Sequence, residues 1–191
     1  MNQISTYQTK DSREIYRGPF FSLQEYLIKF PNGEEKKRII IVTGHYGCWE
    51  FLIPFVAAKY KPMTVTVRPM NNKYINNIYE KARDRYNLSI CEKKGAAKCI
   101  IKALKNDRMV AMTIDQNLDR RNNAVDVSFF EHKATQVDSP VRLATKLNTV
   151  ILPVFIIRDD FEKYKIVFKD PIEVKQNMNE NELKNLSQEL N

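Results

Sequence analysis

Three short apolar runs constrain this chain's fold more than any other feature. Arg38–Thr43 (RIIIVT), Met109–Ile114 and Val150–Ile157 are nearly continuous in apolar residues, and Met63–Val67 (MTVTV) reads as a further strand. Runs without polar alternation belong to strands covered on both faces. Between them the period changes. Lys73–Tyr86 carries Ile75, Ile78, Tyr79 and Ala82 on one helical face, and Ala96–Lys105 turns Ala97, Ile100, Ile101 and Leu104 inward. Trp49–Tyr60 has helical patterning despite Pro54, Leu88–Cys91 reads as a short strand, and Val125–Phe130 as another. Ser139–Leu147 is expected to be a helix, Tyr164–Phe168 an edge strand and Glu180–Leu190 a terminal helix. Strands alternating with helices predict an α/β domain: a mixed, largely parallel central sheet flanked by helices.

The first 38 residues read differently. Residues 1–38 form a polar, amphipathic N-terminal segment, in which Phe21, Leu23, Tyr26, Leu27 and Phe30 follow a roughly helical spacing over Phe20–Phe30. Gly33–Arg38 is a charged turn. No apolar stretch approaches the ~20 residues that span a bilayer, and Met1–Lys10 lacks a signal-peptide core. The expectation is a soluble domain or fragment.

Charge and cysteines narrow the partners. Thirty-one Lys and Arg against 23 Asp and Glu give a formal charge of +8 and a pI near 9.3. That excess favours polyanions such as nucleic acid, anionic lipid or phosphorylated substrates. The basic residues are spread along the chain and no nucleic-acid-reading motif accompanies them, so a nucleic-acid partner is not expected. Cys48, Cys91 and Cys99 are an odd set without a C-x-x-C pair, which predicts reduced thiols in a cytoplasmic compartment. With two histidines, His45 and His132, in the chain, no metal site is expected. His132, in a charged stretch after Phe129-Phe130-Glu131, reads as a surface loop residue.

In a parallel sheet, ligands gather at the carboxyl ends of the strands. Three positions gain weight from that rule: His45 after the first strand, Arg68 after the second, and Asp115 after the fourth. Thr43–Glu50 reads TGHYGCWE. In a continuous helix, Glu50 would lie about 140° around from His45, but the glycines let the chain turn so that Glu50 reaches back to the imidazole. A carboxylate on one ring nitrogen leaves the other as a general base. The other reading of this spacing is a loop histidine satisfied by a backbone carbonyl. Asp115-Gln116 ends a strand; Asp115 either orients the base, a substrate or an arginine, or starts a turn. Arg83 and Arg85, two apart on a helix, point in different directions: one toward a cleft, or both to solvent. No Gly-x-Ser-x-Gly elbow is present and Cys48 has no adjacent base, so a protein nucleophile is missing.

These residues resemble the bacterial lipid A late acyltransferases, relatives of the glycerolipid acyltransferases. TGHYGCWE resembles their H-x-x-x-x-[DE] signature, and Arg68-Pro69 with Asn71-Asn72 and Arg83 resembles the R-P…N…R block. Asp115-Gln116 matches D-Q. Val127–Thr135 (VSFFEHKAT) resembles F-F-G-x-x-A-x-T, with Glu131 in place of Gly. Pro140, Leu143, Ala144 and Pro153 follow the P-x-x-L-A…P block. The blocks keep their order across Ile39–Asp159.

The resemblance implies a glycerolipid-acyltransferase-like fold, with an acyltransferase domain over residues 39–191. It implies transfer of a fatty acyl chain from acyl carrier protein to a hydroxyl of a phosphorylated lipid A precursor, at the cytoplasmic face of the inner membrane and without a cofactor. His45 would be the general base and Glu50 would orient it. Arg68, Arg83, Arg85, Asp115 and Gln116 would bind or position substrate, with Arg83 on a phosphate or the developing oxyanion. The stretch ahead of His45 is shorter than the anchor-bearing one of the family, so an anchor-less chain is expected to dock peripherally on anionic membrane. Alternatives are another glycolipid or lysophospholipid as acceptor, or an inactive relative that binds lipid or carrier protein.

Overall fold

The computed structural model describes residues 12–17, 22–26, 38–67, 70–92, 95–119, 124–160 and 163–191. The strands are β1 (Ser12–Arg17), β2 (Ser22–Tyr26), β3 (Ile39–Thr43), β4 (Met63–Val67), β5 (Leu88–Glu92), β6 (Met109–Thr113), β7 (Ala124–Phe129), β8 (His132–Val137), β9 (Val150–Asp160), β10 (Lys163–Phe168) and β11 (Ile172–Glu173). The helices are α1 (Trp49–Lys59), α2 (Lys73–Asp84), α3 (Ala96–Lys105), α4 (Ser139–Leu147) and α5 (Glu180–Glu189).

Among the described residues, nine strands form one sheet ordered β1-β2-β10-β9-β3-β6-β4-β5, with β11 paired to β9. From β9 to β5 every pairing is parallel, and β10 joins β9 antiparallel. The mixed, largely parallel sheet is the one the apolar runs predict. Its core divides by strand alternation. Ile41 faces α1 through Leu52 and Val56. Ile40 and Val42 face Ile100 and Leu104 of α3, Val141 of α4 and Leu183 of α5.

Several expectations need correction. Ser22–Tyr26 is a strand, not helix: β2 is hydrogen-bonded to β1 on one side and β10 on the other, which satisfies backbone groups that one or two isolated helical turns would not. For the same reason β10 is not an edge strand. His132 opens β8, which pairs with β7 as a hairpin, instead of lying in a loop. Its tip, Phe130 and Glu131, has φ of 47° and 67°, the positive values a tight hairpin turn demands. Ala97 is exposed, and Ala103 takes the inward place beside Ile100 and Leu104.

Cys91 and Cys99 are joined in a disulfide, their Cα atoms 5.8 Å apart, so the expectation of three reduced thiols does not hold. The pair links the end of β5 to α3. A spacing of eight residues becomes close only when the helix folds back over the strand it follows, and no local spacing announces that. Cys48 is the free cysteine; it packs against the core cluster around Leu52 and Val56.

Candidate active site

β3 and β6 lie side by side and parallel, with Thr43 in register with Thr113. Their carboxyl ends therefore release Gly44-His45 and Ile114-Asp115 at the same edge of the sheet. The two loops lock together there. The His45 backbone N–H donates to Asp115 Oδ2 at 2.7 Å, and His45 Nδ1 lies 2.8 Å from Asp115 Oδ1. The adjacent residues are shaped to this contact. A Cβ on Gly44 would sit 3.4 Å from the Asp115 carboxyl group. Gly47 has φ +62°, and a Cβ there would come within 2.5 Å of the Ile156 carbonyl oxygen. Only glycine turns the chain this close to β9.

The pair is partly open to solvent, with side-chain exposures of 33% for His45 and 42% for Asp115. Partial burial pushes the Asp115 carboxyl up. Hydrogen bonds from the His45 amide and ring and from its own amide outweigh that effect and hold it below its ordinary value. Asp115 is therefore an acceptor-only carboxylate at neutral pH. Its partner Nδ1 must carry the proton, and the Nε2 lone pair remains available. Trp49 meets the imidazole edge-on, ring centroids 4.8 Å apart, restricting its rotation.

A second layer holds the loop after Asp115. The Thr135 backbone N–H donates to Asn117 Oδ1 at 2.9 Å, and the Thr135 hydroxyl lies 2.5 Å from the same oxygen. The Leu118 N–H donates to Thr135 Oγ1 at 3.0 Å. Strand β8 thus clamps Asn117 and Leu118, just past Asp115. Thr135 falls within the block that resembles F-F-G-x-x-A-x-T, and no local signal gives it a role, because its partner lies eighteen residues away in a polar loop.

The remaining candidates are distributed unevenly. Glu50 lies exposed in the first turn of α1, and among the described residues no hydrogen bond joins it to His45. Asp115 holds the contact that the spacing argument gave to Glu50. The reason is geometric: α1 starts at Trp49, which carries Glu50 into the helix, whereas β6 delivers Asp115 beside the imidazole. Gln116 is exposed in the loop that follows. Arg68 lies outside the described residues. Arg83 and Arg85 are not brought to His45. α2 leaves from the carboxyl end of β4 and runs back ~18 Å. The turn after it meets the amino end of β4, where the Met63 N–H donates to Asn87 O at 3.2 Å. Arg83 stacks over the Tyr79 ring, 5.5 Å from its centroid, and Arg85 is exposed.

Among the described residues no cluster of three His, Cys, Asp or Glu is placed to hold a metal ion, and no helix is long and apolar enough to cross a membrane. Among the described residues, the edge presents one histidine with a fixed tautomer, oriented by a carboxylate, and no serine or cysteine hydrogen-bonded to it.

None of the curated proteins matches this chain. The family model of the bacterial lipid A biosynthesis acyltransferases matches residues 28–191, which takes in His45, Asp115, Thr135 and every strand from β3 to β11. With that match covering most of its length, the chain belongs to the bacterial lipid A biosynthesis acyltransferase family.

Proposed function

We propose that the protein transfers a fatty acyl chain from the thioester of acyl carrier protein to a hydroxyl of a phosphorylated lipid A precursor, with His45 as general base. The supporting observation is the 2.8 Å contact between His45 Nδ1 and Asp115, which leaves Nε2 as the proton acceptor. In this reading Nε2 removes the proton of the acceptor hydroxyl as its oxygen attacks the thioester carbonyl. The C–O bond forms, the C–S bond breaks, and the proton passes from His45 to the departing thiolate. The developing imidazolium is stabilised by the Asp115 carboxylate 2.8 Å away. Attack by the substrate's own oxygen agrees with the absence, among the described residues, of a serine or cysteine hydrogen-bonded to His45.

Asp115 is the orienting residue here, and Glu50 an exposed carboxylate that favours the N-terminus of α1. The basic residue we assign to the acceptor phosphate is Arg68, which directly follows β4 in the sequence. The +8 charge suits the acidic carrier protein, the phosphorylated acceptor and an anionic membrane surface alike. The reaction would take place at the cytoplasmic face of the inner membrane, with no nucleic acid and no cofactor involved.

The test is transfer of a labelled acyl group from carrier protein to a tetra-acylated lipid A precursor dispersed in detergent. Product that falls at least ~10²-fold in His45→Ala supports the reading. Undiminished product in that variant overturns the general-base role. A folded wild-type protein that acylates a lysophospholipid but not the lipid A precursor overturns the acceptor.

A further inference from the structure

Helix α2 stands apart from the other helices. It contributes no residue to either core cluster, yet it is strongly amphipathic. Tyr74, Ile75, Ile78 and Tyr79 are 85, 43, 65 and 40% exposed. At 100° per residue, these four and Ala82 fill an arc about 140° wide. An arc that size on a soluble helix is normally turned to the core. Here the least exposed of the described side chains of the helix are instead Asn76 and Arg83, a narrow strip next to the arc.

Charge is arranged around the arc. Lys81 adjoins one border beside Tyr74, and Arg83 adjoins the other beside Tyr79. Glu80 lies on the opposite side, where it accepts a hydrogen bond from Asn76 Nδ2 at 2.7 Å. Cations bordering an apolar stripe, with acid kept away from it, match an anionic interface into which the stripe sinks while the basic heads stay at the phosphate level. A second copy of this chain fits poorly, since it would bring another +8 against the same cations.

Position adds to the case. The crossovers β3–α1–β4 and β4–α2–β5 step the same way along the sheet, so right-handed connections put α1 and α2 on one face. The first turn of α2, with Tyr74 and Ile75, begins at the sheet edge that carries His45. Tyr46 and Phe51, 64 and 70% exposed, follow His45 in the chain, one directly after it and one in the first turn of α1.

We propose that α2 lies in the plane of an anionic bilayer surface with Tyr74, Ile75 and Ile78 in the acyl–headgroup boundary, holding the His45 edge against the lipid. The lipid occupant rests on the acyltransferase reading above; the stripe and its cationic borders do not. The test uses the full chain and vesicles of phosphatidylcholine with about one-third phosphatidylglycerol. The double variant Tyr74→Ser/Ile78→Ser should lose at least ~10-fold in partitioning. Lys81→Gln should lose ~5-fold at low salt, and Asn77→Ser, on the polar side, should lose nothing. In the detergent transfer assay the double variant should keep the wild-type rate, while on vesicle-embedded acceptor its rate should fall with its partitioning.

A wild-type chain that ignores vesicles, or a double variant that binds them undiminished, overturns the proposal. So does a double variant whose loss is confined to binding of acidic carrier protein, or one that only converts a dimer to a monomer. Stripe-dependent vesicle binding by a protein that transfers no acyl group would sustain the docking surface and sink the acyltransferase reading alone.

Discussion

Two hydrogen-bonded charge clusters of this protein use similar bonds to different ends. At the carboxyl edge of the sheet, Asp115 holds His45 through two contacts, and one ring nitrogen is left over. Between α4 and α5, Arg142 donates to Asp138 through Nε and to both oxygens of Glu180 at 2.9 and 2.7 Å. These bonds engage each of its nitrogens. The bonds to Glu180, then to Asp138, push the Arg142 guanidinium further up and hold the Glu180 carboxyl below its ordinary value. The Arg142 group is a staple: every guanidinium nitrogen is engaged, Asp138 Oδ1 alone stays buried without a partner among the described residues, and the cluster joins the start of one helix to the start of the next. The His45 pair is incomplete by construction. A cluster that leaves a proton acceptor facing an open edge is built to meet something else.

That contrast is breakable, most decisively at Asp115. Asp115→Asn should keep the fold and lower acyl transfer roughly 10²-fold or more, because an amide no longer fixes the Nδ1–H tautomer or stabilises the imidazolium. Single-turnover rates of the purified variant would check it. Transfer within twofold of wild type would return Asp115 to the status of a turn residue.

Arg142→Ala should do the reverse. It strands Asp138, whose side chain is 7% exposed, and should cost about 2 kcal/mol of stability, a figure already discounted for the half-exposed guanidinium. Activity per folded molecule should stay near wild type, read by denaturant titration beside the transfer assay. pH adds a sign. Glu180 and Asp115 both have lowered carboxyl values, so their contributions are full above the ordinary carboxylate range and are lost as pH falls through the lowered values. Acid unfolding of wild type should therefore steepen below about pH 4, and Arg142→Ala should flatten the Glu180 part of it.

Thr135→Val sharpens the comparison by loosening the clamp and leaving the pair intact. Losing the Asn117 and Leu118 bonds should lower kcat about tenfold with KM little changed, and Thr135→Ser should restore most of it. The smallest effect is expected at Glu50. Glu50→Gln should change the rate less than about twofold, since among the described residues no hydrogen bond ties it to the imidazole. A loss as large as that of Asp115→Asn would show that Glu50 closes on His45 during turnover.

Much of the fold is legible in the sequence, for local reasons. RIIIVT and Val150–Ile157 are continuous apolar runs of strand length, and they are β3, parallel to both its neighbours, and β9, parallel to β3 and antiparallel to β10. Ser139–Leu147, with its proline near the start, is α4 to the residue. The N-terminal strand β2 is not legible, because its residues follow a weak helical spacing that pairing with β1 and β10 overrides.

The site divides along the same line. His45, between glycines just past a buried strand, is marked by its place in the chain, and so is Asp115 at the end of β6. That these two meet, while Glu50 stands clear and Arg83 and Arg85 lie a helix length away, follows from the β3–β6 pairing and the direction of α2. The Cys91–Cys99 bond and the exposed apolar arc of α2 belong to the same category. The sequence by itself determined the period of each segment and the chemistry at each strand end, since both are written in neighbouring residues. Tertiary structure alone decided which strand ends became neighbours and which apolar face found no core, because those depend on contacts between residues far apart in the chain.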